Sequence, residues 1–189
     1  MRKSILMAAT IALSLAASAG TPKAAPVAYV FDQKRAEVTF SYSLPFSSGR
    51  GHFSSVGGMA HIDDAAPANT RVEALIDTRT LRAGNSLSQS ELRGTSFFNV
   101  AKFPQMRFKS RSVRAKNATT SDVSGDLTVR GVTQPVVLHV TLQPPGTSGR
   151  RDMRATTRIN RSDFGMTAYP FFVGDTVDIE IRAVLRPAH

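Results

Sequence analysis

Val123-Ser124-Gly125-Asp126-Leu127-Thr128-Val129-Arg130 and Val136-Val137-Leu138-His139-Val140-Thr141-Leu142 read as two strands on either side of the turn-rich residues 131–135. Positions 123, 127 and 129 are apolar, 125 is glycine, and the residues between them are polar. Positions 136, 138, 140 and 142 repeat the apolar phase, with His139 and Thr141 between them. Period-two alternation puts one class of side chain on each face of a strand. One apolar and one polar face is how an antiparallel sheet with a wet side reads, whereas a parallel sheet reads apolar throughout.

The same period continues outward in both directions. It joins Val38 to Phe40, Val72 to Ala74 and Ile76, and Met106 to Phe108. Further on it joins Ala155 to Thr157 and Ile159, and Val177 to Ile179 and Ile181. Turn signals separate these runs at 63–69, 117–121, 144–149 and 173–175, and Gly131 and Gly165 fall where turns are needed. One segment departs from the pattern. Ser86 precedes Gln89 at capping-box spacing, which predicts a short helix from about Leu87 to Arg93. Phe97, Phe98 and Phe103 follow in a stretch too irregular for a strand, as expected of a loop that tucks rings against a barrel. Many short strands with so little helix predict an all-β antiparallel sandwich or closed barrel.

The N-terminus carries Arg2 and Lys3, an apolar run over 5–17, and then Ala17-Ser18-Ala19. That is the three-part pattern of a cleavable signal peptide, expected to span 1–19. The run is shorter than the roughly 20 apolar residues of a membrane-spanning helix. Residues 20–28 read as a flexible Pro/Ala tether, leaving one domain over 29–186. The chain contains no cysteine, so disulfides, thiolate metal sites and a Cys nucleophile are excluded. The net charge is +10; without Arg2 and Lys3, 22 basic residues face 14 acidic ones, a net of +8. For an exported protein the acidic partners at hand are lipid headgroups rather than nucleic acid. Because the basic residues are scattered, a solvated surface accounts for them equally well.

The histidines, His52, His61, His139 and His189, are not at metal-ligand spacing. No nucleophile elbow, phosphate loop or dinucleotide fingerprint is present. No catalytic residue, metal or cofactor is therefore assigned.

Several stretches together resemble the YceI-like, polyisoprenoid-binding family. They are Tyr29-Val30-Phe31-Asp32 with Val38-Thr39-Phe40, Glu91-Leu92-Arg93-Gly94-Thr95-Ser96-Phe97-Phe98-Asn99-Val100, and Lys102-Phe103-Pro104. Gly125 to Val136, Asn160-Arg161-Ser162-Asp163-Phe164-Gly165-Met166 and Val173-Gly174-Asp175-Thr176-Val177 complete the order. Departures are Ser41 to Pro45, where the family often has a histidine, Gln89-Ser90-Glu91 in place of Asp-Xaa-His, and Asn99 in place of Asp. The resemblance implies a lipocalin-like antiparallel β-barrel of about eight strands with a short capping helix. It further implies a periplasmic location, with secretion as the alternative, and a lumen for a long-chain isoprenoid such as a polyprenyl phosphate or quinone, or another lipid. On that reading Phe40, Phe97, Phe98, Phe108, Phe164, Met166 and Phe171 are expected in the pocket wall. Arg93 and Arg161 are candidates for a phosphate head, since guanidinium suits phosphate, and Asp163 is a candidate to orient Arg161. A scavenger of small hydrophobic toxicants or antibiotics is the alternative function, and an enzyme acting on the bound lipid is a third. Transient contact with an anionic membrane and a homodimer are both compatible with the sequence.

Overall fold

Strand β1 (Val27–Leu44) is the spine of the fold. It belongs to a computed structural model that describes residues 25–188. The signal segment 1–19 and tether residues 20–24 lie outside the described residues. The end of the expected tether is strand, since Val27 pairs with Ile62 and Ala28 with His61.

Tyr29, Phe31, Ala36, Val38 and Phe40 of β1 are buried. Ala36 is five positions after Phe31, an odd spacing that would turn one of them outward. A bulge at Asp32-Gln33-Lys34-Arg35 resets the phase, so that five steps on β1 match two on its neighbour. At 18 residues β1 needs two partners along one side: β3 (Val56–Ile62) beside its first residues and β2 (Ser47–Phe53) beside its last. The other side pairs with β10 (Thr176–Pro187).

The remaining elements are β4 (Arg71–Asp77), β5 (Arg82–Ala83), α1 (Ser86–Arg93), β6 (Gln105–Ala115), β7 (Thr120–Val129), β8 (Val132–Leu142) and β9 (Arg151–Asn160). Around the ring the order is β1, β3, β4, β6, β7, β8, β9, β10, and β10 closes on β1. All pairings are antiparallel. The result is the expected closed eight-strand barrel with one short helix. Strand β2, with β5 on its outer edge, extends the sheet past the ring.

The β7–β8 turn is shorter than its sequence suggests. Arg130 (φ 52°) and Gly131 (φ 78°) are both left-handed and make a two-residue hairpin, with Val129 opposite Val132. Pro135 is therefore inside β8. It is tolerated because β8 meets β9 only from His139 to Leu142, so the first half of β8 is an edge that needs no N–H there. On β7, Gly125 serves close packing: a Cβ there would lie 2.5 Å from the Lys109 carbonyl oxygen and 2.6 Å from the Phe108 ring.

Helix α1 closes one end of the barrel. Its cap is Asn85, one residue before the expected Ser86; Asn85 has extended backbone and its side chain accepts from the Ser88 N–H at 2.8 Å. The chain then folds back on the helix. Phe98 N–H donates to Leu92 C=O, Val100 N–H to Arg93 C=O, and left-handed Asn99 (φ 45°) donates its N–H to Gly94 C=O at 2.8 Å.

Candidate lipid-binding cavity

The inward faces of the strands enclose a cavity of about 260 Å³. Its wall is apolar through the middle of the barrel: Val38 of β1, Ile76 of β4, Met106 of β6, Leu127 of β7, Ala155 of β9 and Ile181 of β10. Strand alternation puts these residues there, and the small side chains among them leave the lumen unfilled.

Of the residues singled out in the sequence, Phe40, Phe97, Phe98, Phe108, Met166 and Arg161 line this cavity. Phe40, Phe53 and Phe98 pack as a trio with centroids 5.2 to 5.6 Å apart, the Phe53–Phe98 pair edge to face. The irregular loop thus wedges one phenylalanine into the barrel between rings from β1 and β2.

The other four lie outside the wall. Phe164 is buried, but it ends a 3-10 turn (Arg161–Phe164) and fills the place where β8 and β9 part. Phe171 is 90% exposed, because its loop turns outward at left-handed Tyr169. Arg93 donates to the Arg79 carbonyl on the surface, tying the helix to the segment before β5. Asp163 does not orient Arg161; its backbone carbonyl accepts from the Gln134 side chain, which pins the turn to β8.

Arg161 is held by backbone instead. Its guanidinium donates to the carbonyls of Gly174 (3.0 Å), Val173 (2.8 Å) and Met166, and lies 5.9 Å from the Phe97 ring centre. It is buried in the cavity wall and has no carboxylate partner among the described residues. Tyr42, which the sequence did not single out, lines the same end, and burial raises its hydroxyl pKa. The hydroxyl has no hydrogen-bond partner among the described residues. Ser43, next along the chain, accepts from the Gly174 N–H at 2.9 Å, so Tyr42 and Arg161 meet at one segment. The helix end of the cavity therefore carries a buried positive charge and a hydroxyl within an apolar wall.

The opposite end is wet. Its wall residues Asp64, Ala115, Asn117 and Ala118 are exposed, whereas those at the helix end are buried or half-buried. The cavity opens there. Arg151, also unforeseen, is 4% exposed and donates to both Asp64 carboxylate oxygens at 2.8 and 3.0 Å and to the Gln143 carbonyl. This arginine is electrically compensated and ties the β3–β4 loop to the start of β9. The wall contains no histidine, and its carboxylates, Asp63 and Asp64, are both at the open end. His139 points outward and bonds Asp122 at 2.7 Å.

Residues 29–185 match the YceI-like domain family. A UPF0312 protein of Pseudomonas savastanoi pv. phaseolicola is 32% identical over 171 residues, covering 87% of this chain and 88% of its own. A UPF0312 protein of Vibrio cholerae is 32% identical over 164 residues, covering 82% and 87%. Among solved structures, Burkholderia cenocepacia BcnA superposes with a TM-score of 0.75 at 22% identity, over 82% of this chain and 98% of that one. A polyisoprenoid binding domain from Saccharophagus degradans, implicated in plant cell wall breakdown, superposes with a TM-score of 0.68 at 15% identity, over 86% and 99%. At such identities the structural likeness establishes the shared barrel. Sequence match and barrel together place the chain in a known group: it belongs to the YceI-like domain family.

Proposed function

We propose that this protein is an exported, periplasmic carrier of a long-chain amphiphilic lipid, an isoprenoid in particular, and acts by binding rather than by catalysis. The observation that carries the reading is the apolar cavity with its charged groups confined to the ends. The tail fills the barrel. The head lies at the helix end, where, among the described residues, Arg161 has no carboxylate and the Tyr42 hydroxyl no hydrogen-bond partner. An acidic head there acquires a charge partner, which favours a polyprenyl phosphate over a neutral head. The Saccharophagus degradans neighbour, a polyisoprenoid binding domain on the same barrel, supports an isoprenoid tail. The leader pattern at 1–19 supports export.

Native mass spectrometry of protein expressed with its leader tests the proposal. A co-purifying lipid that is released on denaturation is expected, together with uptake of a prenyl phosphate by delipidated protein. Protein that stays empty in both experiments would refute it.

A further inference from the structure

The helix-capped end carries an apolar surface that neither the barrel core nor the cavity uses. Phe46, at the β1–β2 turn, is fully exposed, and Leu87 of α1, Phe171 and Phe172 are 80%, 90% and 65% exposed. These come from three separate segments of the chain, and hydrogen bonds bring the segments together. Gly174 N–H bonds Ser43 C=O, which places the Phe171–Phe172 loop beside the β1–β2 turn. Tyr169 stacks on Phe97 and donates its hydroxyl to Glu91 of α1 at 3.1 Å, which places the same loop beside the helix. Large side chains left in water at one end of a molecule mark an interaction surface.

The form of the surface selects its partner. Three of the side chains stand on turns and Leu87 on the first turn of α1, each as a separate tip. Phenylalanine has no polar atom to satisfy, which suits insertion among acyl chains. Behind the tips lie Arg50 on β2 and Arg82 on β5, both exposed and neither ion-paired among the described residues. Arg50 is four residues from Phe46, roughly 13 Å along an extended strand, so a ring buried about 5–10 Å at the headgroup boundary leaves the arginine at the membrane surface. The nearest carboxylate on the helix, Glu91, is occupied by Tyr169. Apolar tips backed by unpaired arginines complement the acyl boundary and the phosphates of an anionic bilayer.

We infer that the helix-capped end docks on anionic membranes through Phe46, Leu87, Phe171 and Phe172, with Arg50 and Arg82 against the lipid phosphates. Docking sets the helix and the Arg161 end of the cavity toward the bilayer and the Asp64 end toward water. The inference does not depend on what the cavity holds.

The test uses phosphatidylcholine vesicles with and without phosphatidylglycerol. Wild-type protein is expected to co-sediment best with the anionic vesicles, less so as salt rises. The triple variant Phe46→Ser, Phe171→Ser, Phe172→Ser should bind about tenfold or more weakly, with an unchanged urea midpoint and unchanged uptake of a fluorescent lipid. Arg50→Gln with Arg82→Gln should abolish the preference for phosphatidylglycerol. Because the chain has no cysteine, an environment-sensitive fluorophore can be attached at Phe172→Cys or at Asn117→Cys. A blue shift on vesicles is expected for the first and not for the second. Vesicle binding unaltered by the triple substitution, or a blue shift at position 117 alone, overturns the inference. A wild-type dimer that ignores vesicles and is split by the triple substitution also overturns it, assigning the surface to a second copy.

Discussion

Arg161 carries out two tasks that can be separated by substitution. Its planar fork reaches three carbonyls on the 166–174 loop, and its charge faces the cavity. Arg161→Lys keeps the charge, but an ammonium on a flexible stem cannot span three acceptors held in a fork geometry. The expected result is a loss of about 2 kcal/mol in urea denaturation, with preference for a prenyl phosphate over the matching prenyl alcohol retained. Arg161→Met should lose that preference as well, measured by displacement of a fluorescent lipid. A second residue sets a pH dependence. Asp122, on the outer face of β7, accepts from Lys116 at 2.8 Å, His139 at 2.7 Å and Arg114 at 3.2 Å. Those bonds, Lys116 first and then His139, hold its carboxyl far below the usual carboxylate range. A carboxylate whose pKa falls on folding contributes stability above its unfolded value, about 3.9, and loses it as the pH drops through the folded value. The urea midpoints of wild type and Asp122→Asn should therefore differ by their full amount near neutrality and draw together progressively as the pH falls below about 4. The sequence singled out Arg161 but gave it the wrong neighbour. Asp163 is two residues away, yet the acceptors come from a loop that returns only in three dimensions. Tyr42 and Arg151 fall in the inward phase of their strands, two positions from Phe40 and Met153, but a phenol and a guanidinium among polar neighbours do not mark an interior face.

At the scale of elements, legibility followed alternation. Strands β6 to β10 and β4 show it, since each has one face on the lumen and one in water. Strand β2 does not, because Ser47-Ser48-Gly49-Arg50-Gly51-His52-Phe53 carries glycines where the Tyr42 and Phe40 rings of β1 lie across it. Only Phe53 among these residues signals an interior, so alternation does not reveal the third ring of the aromatic trio. The hairpin at Arg130-Gly131 is shorter than its sequence suggests, because Pro135 resembles a turn residue but is an edge-strand residue where β9 has moved away. The helix is legible, but its cap lies one residue before the one the capping-box spacing predicts, since Asn85 and Ser86 are both good cap residues and the extended backbone falls at the first. Asn85→Ala removes the acceptor for the Ser88 N–H, and the expected cost is about 1 kcal/mol. The loss should appear as faster hydrogen exchange in the first turn of α1, while the amides of β7 and β8 stay protected. Uniformly faster exchange across both regions would mean that helix and barrel open together.

For the molecule as a whole, the cavity determines how affinity should depend on the ligand. Its wall is apolar and nearly featureless between the two polar ends, so each tail carbon drawn in from water contributes about 0.8 kcal/mol, roughly fourfold in Kd, until the lumen is full. Longer tails must then leave carbons at the open end, near Asp64 and Asn117, where they remain in water. Affinity for a series of prenyl or alkyl phosphates should rise steeply with length and then level off. The same series of alcohols should show the same slope and plateau, displaced to weaker binding by the missing charge opposite Arg161. Isothermal titration of both series into delipidated protein measures all three quantities. A narrow optimum at one chain length would instead mean that the Arg151–Asp64 pair closes the far end, because a sealed barrel rejects the first carbon too many whereas an open one merely ceases to reward it.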